Sequence, residues 1–598
     1  MLISTPAPAF WFRLSWRRVV PLAPLAAVVA ATVALAPRTA QPPDVVTLSV
    51  VGTTDLHGYV FPREGRGGLA VFGGYLANLR AARHADGGGV VLLDAGDTWL
   101  GGIESNMSEG DVVVDAYNAL GYTAAAVGNH DLEFGAVDRW PFGVADGDPR
   151  GALKARARQA RYPMLAANLM DAATGAVVDW PNVRPSALET IAGVRVGLVG
   201  VMTYDALSLT LAANVGGLAT APLVDAISRE ATALRAAGAQ VIVVVAHAGG
   251  SCSAFGAPDD LTSCDDASEI FDVARRLPAG LVDVIVAGHT HDGVAHRVAG
   301  IQVVQAYSWG RAFSRVDLRV GRTTGSVETA RLFAPQEICA WEEASTGDCA
   351  RAASPTTRAA RYEGREVTPL GAVTEAMAPA LRRVEAWRAS PLGVSLDRPI
   401  ERGPGDLESP LGNLFADALA AAVTGADGAL SYGAGPGGLR ADLAEGPLLL
   451  GPLYDLFPFD NRVEALTLNG AELRALLLDQ LQRPRWRARA LGISGLRIAI
   501  GCHTGRDRVA IVRPSGRPVA DDERLTLAMT DFLATRARRL QLSRVAAAAV
   551  AGDLQVRDAV LAWVRARPLL ASAAFAVAGA PRWSRTDQAA AGCVAPAQ

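Results

Sequence analysis

Ala124-Ala125-Ala126-Val127-Gly128-Asn129-His130-Asp131 sets a small apolar run directly against an amide, an imidazole and a carboxylate. Four other segments repeat the arrangement. Thr53-Thr54-Asp55-Leu56-His57 follows Val45–Val51, and Asp94-Ala95-Gly96-Asp97 follows Val90–Leu93. Ala246-His247 follows Val241–Val245, and Gly288-His289-Thr290-His291 follows Val284–Val286. These runs, with Val196–Val199, are short, β-branched and mostly apolar, and Ala/Leu/Arg stretches separate them. The pattern predicts an α/β fold whose strands are covered on both faces. Thr47 and Ser49 are the polar exceptions in the first run. Open α/β sheets place ligands beyond the carboxyl ends of their strands, so the five polar segments are expected to converge. If the strands continue through Asp55-Leu56-His57 and His289-Thr290-His291, alternation puts each pair on one side.

The converging groups are imidazoles and carboxylates with one amide. Such a mixture suits zinc, manganese, iron or cobalt better than magnesium or calcium, which prefer oxygen alone. The candidates are too many for one four-coordinate ion and about right for two, bridged by a carboxylate. Any one segment alone reads as ordinary packing; the ordered set carries the inference.

The chain has 598 residues, enough for two or more domains. Half are hydrophobic and 20% are charged, which excludes a disordered or collagen-like protein. A net charge of −3 excludes a binder of nucleic-acid polymers that works by bulk electrostatics. The basic residues are nearly all arginine, with Lys154 the single lysine. Arg13, Arg17 and Arg18 precede an apolar run from Val19 to Ala36, which reads as a secretory signal ending at Ala34-Leu35-Ala36. An uncleaved anchor is the alternative, because the run is almost long enough to span a bilayer. Pro21 and Pro24 speak against a spanning helix, and Pro37 against cleavage. Either way the remainder crosses the membrane, to the periplasm or the exterior, and touches a membrane only through an uncleaved N-terminal segment. Six cysteines in an exported chain suit disulfides. Local pairing gives Cys252–Cys264 and Cys339–Cys349 and leaves Cys502 with Cys593.

Four regions follow: 1–43 as signal or anchor, 44–335 as the α/β region just described, 336–370 as a linker around a disulfide loop, and 371–598 as a second α/β region. A helix is expected at about 372–388, with Leu381, Val384, Ala386 and Trp387 on its apolar side and Pro379 as a kink or break.

The order Asp-x-His, Gly-Asp, Gly-Asn-His-Asp, His, Gly-His-x-His resembles the calcineurin-like metallophosphatases. Asp97 to Gly135, with Tyr117-Asn118-Ala119-Leu120-Gly121-Tyr122, is similar to the bacterial 5′-nucleotidase/UDP-sugar hydrolase branch. In the second half, Glu408-Ser409-Pro410-Leu411-Gly412-Asn413-Leu414-Phe415-Ala416-Asp417-Ala418, Phe457-Pro458-Phe459-Asp460-Asn461 and Leu468-Asn469-Gly470-Ala471-Glu472-Leu473 resemble signatures of that family's C-terminal domain. The resemblance spans roughly residues 45 to 535. It implies a four-layer α-β-β-α sandwich followed by a C-terminal α/β substrate-recognition domain, acting as a monomer. It further implies one metal on Asp55, His57, Asp97 and His291 and a second on Asp97, Asn129, His247 and His289, with Asp97 bridging. A metal-bound hydroxide is the implied nucleophile.

By the same resemblance His130 is catalytic without being a ligand, stabilising charge on the phosphoryl group or leaving oxygen. Glu133 stands where the family carries an orienting Asp; Asp131 competes for that role, and the plainer reading of both is a solvated surface charge. Arg440, Phe459 and Asn461 are the implied substrate contacts. Two features depart from the family. Gly435-Pro436 replaces an Asn and a Gly ahead of Arg440. Thr535-Arg536-Ala537-Arg538-Arg539-Leu540 occupies the place of a turn with a second base-stacking aromatic. That Arg run reads as a solvated helix face sooner than as an anion site, and Phe532 could stack only if the backbone differs. His84, His296 and His503 read as surface or packing histidines, and Gly65–Gly68 with Arg63 and Arg66 as a loop before a helix. The expected function is hydrolysis of a small phosphate ester, a nucleoside 5′-monophosphate first. UDP-sugars, 2′,3′-cyclic nucleotides, other organophosphates or a thiosulfohydrolase substrate are alternatives, and an anion-binding protein is the non-enzymatic one.

Overall fold

Apolar runs become the centres of two stacked sheets. In the computed structural model the first sheet has the order Val327–Glu337, Ala312–Gly321, Val45–Thr53, Gly89–Asp94, Ala124–Ala126, Met164–Leu165, Val183–Arg184. The second has the order Gly293–Val298, Ile301–Ala306, Val284–Ala287, Val241–His247, Val194–Met202, Ser186–Ile191. The described residues are 44–598 except 138–146, 211, 404–408, 434–437, 458–460, 482–490, 504–505, 541, 543–553, 576–580 and 586–598. The N-terminal signal or anchor, Phe459 and Cys593 therefore lie outside them, as does the side chain of Cys502, and with these the Cys502–Cys593 pairing. Among the described residues no helix is long and apolar enough to cross a membrane.

The central strands of both sheets pair in parallel; both edges of the second sheet and the Val327–Glu337 edge of the first are antiparallel, whereas the Val183–Arg184 edge is parallel. Alternation sorts their side chains into three apolar layers. Leu48, Val50, Val91, Leu93, Val241, Val243, Val245, Val284 and Val286 fill the space between the sheets. Val51 and Leu92 face outward onto helices Leu69–Ala85 and Asp111–Leu120. Ile242, Val244 and Ala246 face helices Leu223–Ala236 and Glu269–Arg276. This is the α-β-β-α order, and it explains why the strands read as unbroken apolar runs: neither face meets water. Burying each Val, Leu or Ile contributes about 1.5–3 kcal/mol of transfer free energy. The polar exception Ser49 is satisfied, donating to Asp317 Oδ1 at 2.6 Å.

Residues 336–370 are more than a connection. Trp341–Glu343, Cys349–Ala350 and Thr357–Ala359 make a three-stranded sheet, and Arg361–Tyr362 pairs with Arg365–Glu366. Ile338, Cys339, Ala360 and Val367 bury into the first helical layer, which holds the segment in place. The disulfide Cys339–Cys349 forms, as does Cys252–Cys264.

Helix Gly371–Arg388 continues through Pro379 without a break. Its buried stripe is Val373, Met377, Ala380 and Val384. Ala386 is exposed, not apolar-side as expected, because two residues past Val384 it points about 200° away. The first three stripe residues pack with the N-terminal core and Val384 with the C-terminal one.

Beyond it, a four-stranded sheet orders Val463–Asn469, Arg524–Thr530, Gly428–Ser431 and Gly492–Ser494. Helix Pro410–Ala422 starts with Ser409 accepting from Gly412 N at 2.9 Å. Helix Gly470–Leu481 starts with reciprocal 2.8 Å bonds between Asn469 and Glu472. Both are N-terminal caps.

Gly52 marks how closely the sheets approach: a Cβ there would lie 2.3 Å from Val286 Cγ1 of the facing sheet. Gly52→Val is expected to lower stability by about 1–3 kcal/mol or more through overpacking, read as a fall in the urea midpoint.

Candidate metal centre

The strand Val45–Thr53 stops short of Asp55, and Val284–Ala287 stops short of His289. Strand alternation is therefore not what aims the two pairs. Asp55, His57, Asp97, His289 and His291 all have positive φ, between 49° and 80°. Such backbone costs of order 1–3 kcal/mol per non-glycine residue and survives where the surroundings dictate it. The loops interlock to dictate it. Asp55 N donates to Gly96 O at 3.0 Å, His57 N to Asp97 O at 2.9 Å, and Ala95 N to Thr53 O at 2.9 Å. His289 N donates to both Asp55 carboxylate oxygens, at 3.1 and 2.9 Å. Gly128 sits so near Asp97 that a Cβ would be 2.3 Å from its Oδ1.

Two clusters result, Asp55–His57–His291 and Asp97–His247–His289, each with its ligand atoms within 4.8 Å of one another. In the first, His57 Nε2 lies 3.0 Å from His291 Nε2, and His291 Nε2 lies 3.4 Å from Asp55 Oδ1. In the second, His247 Nε2 lies 3.2 Å from Asp97 Oδ2, 3.2 Å from His289 Nδ1 and 3.0 Å from Asn129 Oδ1. Asp97 Oδ2 also faces the first cluster, 3.9 Å from His57 Nε2. Every candidate ligand thus gathers around these two points.

The second nitrogens of two rings are committed. His57 Nδ1 donates to Leu100 O at 2.8 Å, and His247 Nδ1 to Ala95 O at 2.9 Å. Each Nε2 is left for whatever lies between the side chains, the usual dress of a metal-bound imidazole. Burial lowers the His57 pKa, and burial with nearby His247 lowers that of His289, favouring the neutral rings that metals need. Burial alone would raise the Asp97 carboxyl, but His247, His130 and His57 hold it well below the usual range. His247 is opposed by burial yet pushed up to about 9 by Asp97. A cation belongs between them, and without an ion a proton serves. The donor set fits divalent ions of the zinc, manganese, iron and cobalt type. A third cluster, Cys252–Cys264–His296, is spent in a disulfide.

His130 lies beside both points, its Nε2 4.0 Å from Asp97 Oδ2. Its Nδ1 pairs with Glu133 Oε2 at 3.0 Å. Asp131 is neither its partner nor a solvated charge. It is 1% exposed and accepts from Thr98 N at 2.8 Å and Gly128 N at 2.9 Å. Asp94, given no role from the sequence, accepts from Thr53 Oγ1, Thr98 Oγ1, Tyr117 OH and Gly96 N at 2.6–3.0 Å, and burial still raises its carboxyl to about 6. Its spacing of three from Asp97 was the available signal. Asn106 was also passed over. It accepts from Gly101 N at 2.7 Å in the loop around His57 and donates to Tyr454 OH of the C-terminal region at 2.6 Å.

In the C-terminal region Asn461 Nδ2 donates to Asp531 Oδ1 at 2.7 Å, and Arg440 is exposed, its N–H donating to Leu456 O. Thr535–Leu540 lies largely on helix Asp531–Arg539, where Arg536 pairs with Asp479 and Arg538 with Glu464. These two arginines of the run are thus paired on a helix face. Phe532, 50% exposed, has its ring 6.2 Å from that of Tyr432.

Asp131→Ala strands two buried amides. The expected result is a stability loss of about 1–3 kcal/mol, with metal affinity down about 10–100-fold, measured by thermal melts and chelator competition.

Residues 48–293 match the calcineurin-like phosphoesterase family, and residues 394–542 match the 5′-nucleotidase C-terminal domain. Together the matches span about two thirds of the chain. An endonuclease of Bacillus subtilis is 25% identical over 83% of this chain and 38% of its own length. A cell wall protein of Listeria monocytogenes is 25% identical over 82% of this chain and 63% of its own. A 5′-nucleotidase of Vibrio cholerae is 27% identical over 45% of this chain and 48% of its own. The chain thus spans between about a third and two thirds of the length of these relatives. A 5′-nucleotidase precursor from Thermus thermophilus shares the fold, with a TM-score of 0.52 at 22% identity, covering 91% of this chain and 100% of that one. Calcineurin-like phosphoesterases use divalent metals, in keeping with the two ligand clusters. The chain belongs to the calcineurin-like phosphoesterases, in the form that continues into a 5′-nucleotidase C-terminal domain.

Proposed function

We propose that this protein is an exported phosphoesterase that takes two divalent ions and hydrolyses small phosphate esters of nucleotides, nucleoside 5′-monophosphates among them. The observation that carries the reading is the pair of ligand clusters facing one Asp97 oxygen, with a carboxylate-held imidazole beside them. Asp55, His57 and His291 would hold one ion and Asn129, His247 and His289 the other, with Asp97 shared. Divalent ions supply, when bound, a water acidic enough to attack phosphorus at neutral pH and positive charge for the phosphoryl oxygens.

His130 provides the remaining group. Glu133 holds its Nδ1 side, which leaves the Nε2 edge, turned toward Asp97, to meet substrate oxygens. Burial opposes its charge, but Asp97 and then Glu133 outweigh it and raise the imidazole to about 10. As a cation it donates to a phosphoryl or leaving oxygen and stabilises the charge that develops there. A relative named as a 5′-nucleotidase and the matching C-terminal domain support a nucleotide substrate acted on as a small molecule. Two disulfides and a relative named as a cell wall protein support export, with the N-terminal arginines and apolar run as the signal. The Arg-paired helix at Asp531–Arg539 favours a second substrate reading, organophosphates other than nucleoside monophosphates, because no aromatic lies along Thr535–Leu540. Turnover of AMP and UDP-glucose, side by side on protein reconstituted with manganese or zinc, separates the two. Full metal occupancy with no turnover of any phosphoester would leave the anion-binding alternative.

Asp97→Ala is expected to lose metal and turnover together, whereas His130→Ala keeps its metal, by elemental analysis, and loses about 10²–10⁴-fold in kcat. Activity that needs the cationic His130 falls as pH rises through its pKa. Glu133→Gln removes one of the charges that raise that pKa, so the alkaline limb of the kcat profile should move to lower pH.

A further inference from the structure

Trp309 is an exposed indole, 45% accessible, in a left-handed conformation with φ 61°. Its backbone N–H donates to the carbonyl of Asp55 at 2.7 Å, which fixes it beside the first ligand cluster. Its ring stands edge-to-face with His291 at 6.1 Å between centroids, and with Tyr59 at 6.1 Å. The Arg63 guanidinium lies 4.4 Å from the centroid of Tyr59 and 5.7 Å from that of Trp309. Arg66, bridged to Arg63 by two backbone hydrogen bonds across a tight turn, is neutralised by Glu337 at 3.0 Å. Arg63 has no carboxylate within ion-pair distance among the described residues, and it is exposed.

Packing does not account for this group. A large indole serving only the core would be buried, and the backbone strain places this one on the surface next to His291. A guanidinium resting on aromatic faces without an acid keeps its charge and its fork of donors for an external anion. From the clusters outward the order is therefore ligand imidazole, aromatic face, free guanidinium.

We propose that Trp309 and Arg63 form a leaving-group subsite on the phosphoesterase side. The indole packs on the ring-bearing part of the substrate, and the guanidinium takes a second anionic group beyond the phosphorus under attack. The chemistry that fits is a nucleoside diphosphate ester, favoured over a simple monoester. The proposal rests on the phosphoesterase reading above.

The test compares kcat/KM for UDP-glucose and for glycerol 2-phosphate in metal-loaded wild type, Trp309→Ala, Trp309→Phe and Arg63→Gln, with metal content measured in each. Trp309→Ala and Arg63→Gln should each lower the UDP-glucose preference about tenfold or more, chiefly through KM, as loss of a stacking face or a phosphate contact does. Trp309→Phe, which retains a ring, should hold most of it. An unchanged preference in both disabling variants overturns the subsite, and so does loss of metal from Trp309→Ala, which would make the indole a support for Asp55. Calorimetric titration of UDP onto the same proteins separates failure of the two ideas. Weaker UDP binding in both variants with no turnover in wild type sinks the phosphoesterase reading and keeps the subsite; equal binding in all four sinks the subsite.

Discussion

Electron-rich atoms are held face to face around two points, and the rest of the structure serves that arrangement. Each ring of His57 and His247 spends its Nδ1 hydrogen on a main-chain carbonyl, which turns its Nε2 inward toward the other candidate ligand atoms. Carboxylates and a carboxamide oxygen meet these two Nε2 atoms at 3.0–3.9 Å. Such a gathering is costly in a dry interior unless a positive charge enters it. It is kept in place by left-handed turns, and the turns are kept by buried carboxylates. Asp94 and Asp131 spend their oxygens on the amides and hydroxyls of the loops that carry Asp97 and Asn129. The two carboxylates do no chemistry themselves, yet without them the loops would have buried donors and no acceptors.

Much of this was legible in the sequence because strands buried on both faces leave an unmistakable mark. Val45–Val51, Val90–Leu93, Val241–Val245 and Val284–Val286 all lie within observed strands. The direction of the ligands was harder. Periodicity carries no information about a chain that leaves the strand, and Asp55 and His57 converge through positive φ, not through the pleat. Asp131, open in the sequence between partner of His130 and surface charge, is neither, and for a related reason: a carboxylate that caps backbone amides looks, in one dimension, like one that meets a side chain or faces water. The segment 336–370 read as a connection because its apolar residues are scattered singly, although Ile338, Cys339, Ala360 and Val367 each reach a core. Trp309 follows an apolar strand as the ligands do, and was overlooked because it ligates nothing.

The C-terminal region divides differently. Several of its most recognisable residues are architectural: Ser409 with Pro410, and Asn469 with Glu472, begin helices. Their presence speaks for the fold and says little about the ligand. Arg536 and Arg538, which could have suggested an anion site, are neutralised by Asp479 and Glu464. Those two arginines are therefore not available to an anion, whereas the rim of the phosphoesterase layer presents an aromatic face beside Arg63, a guanidinium with no carboxylate within ion-pair distance among the described residues.

The two clusters also straddle the layers. Asp55 and His57 extend from one sheet and His291 from the other; Asp97 comes from the first, His247 and His289 from the second. An ion at either point would rivet the seam between the sheets, adding its binding free energy to their adhesion. Neither sheet alone owns a complete coordination set, so a half-assembled chain has little with which to capture an ion. Metal uptake would then come late in maturation, as a seal on a finished sandwich, and chelation would be felt first along that seam.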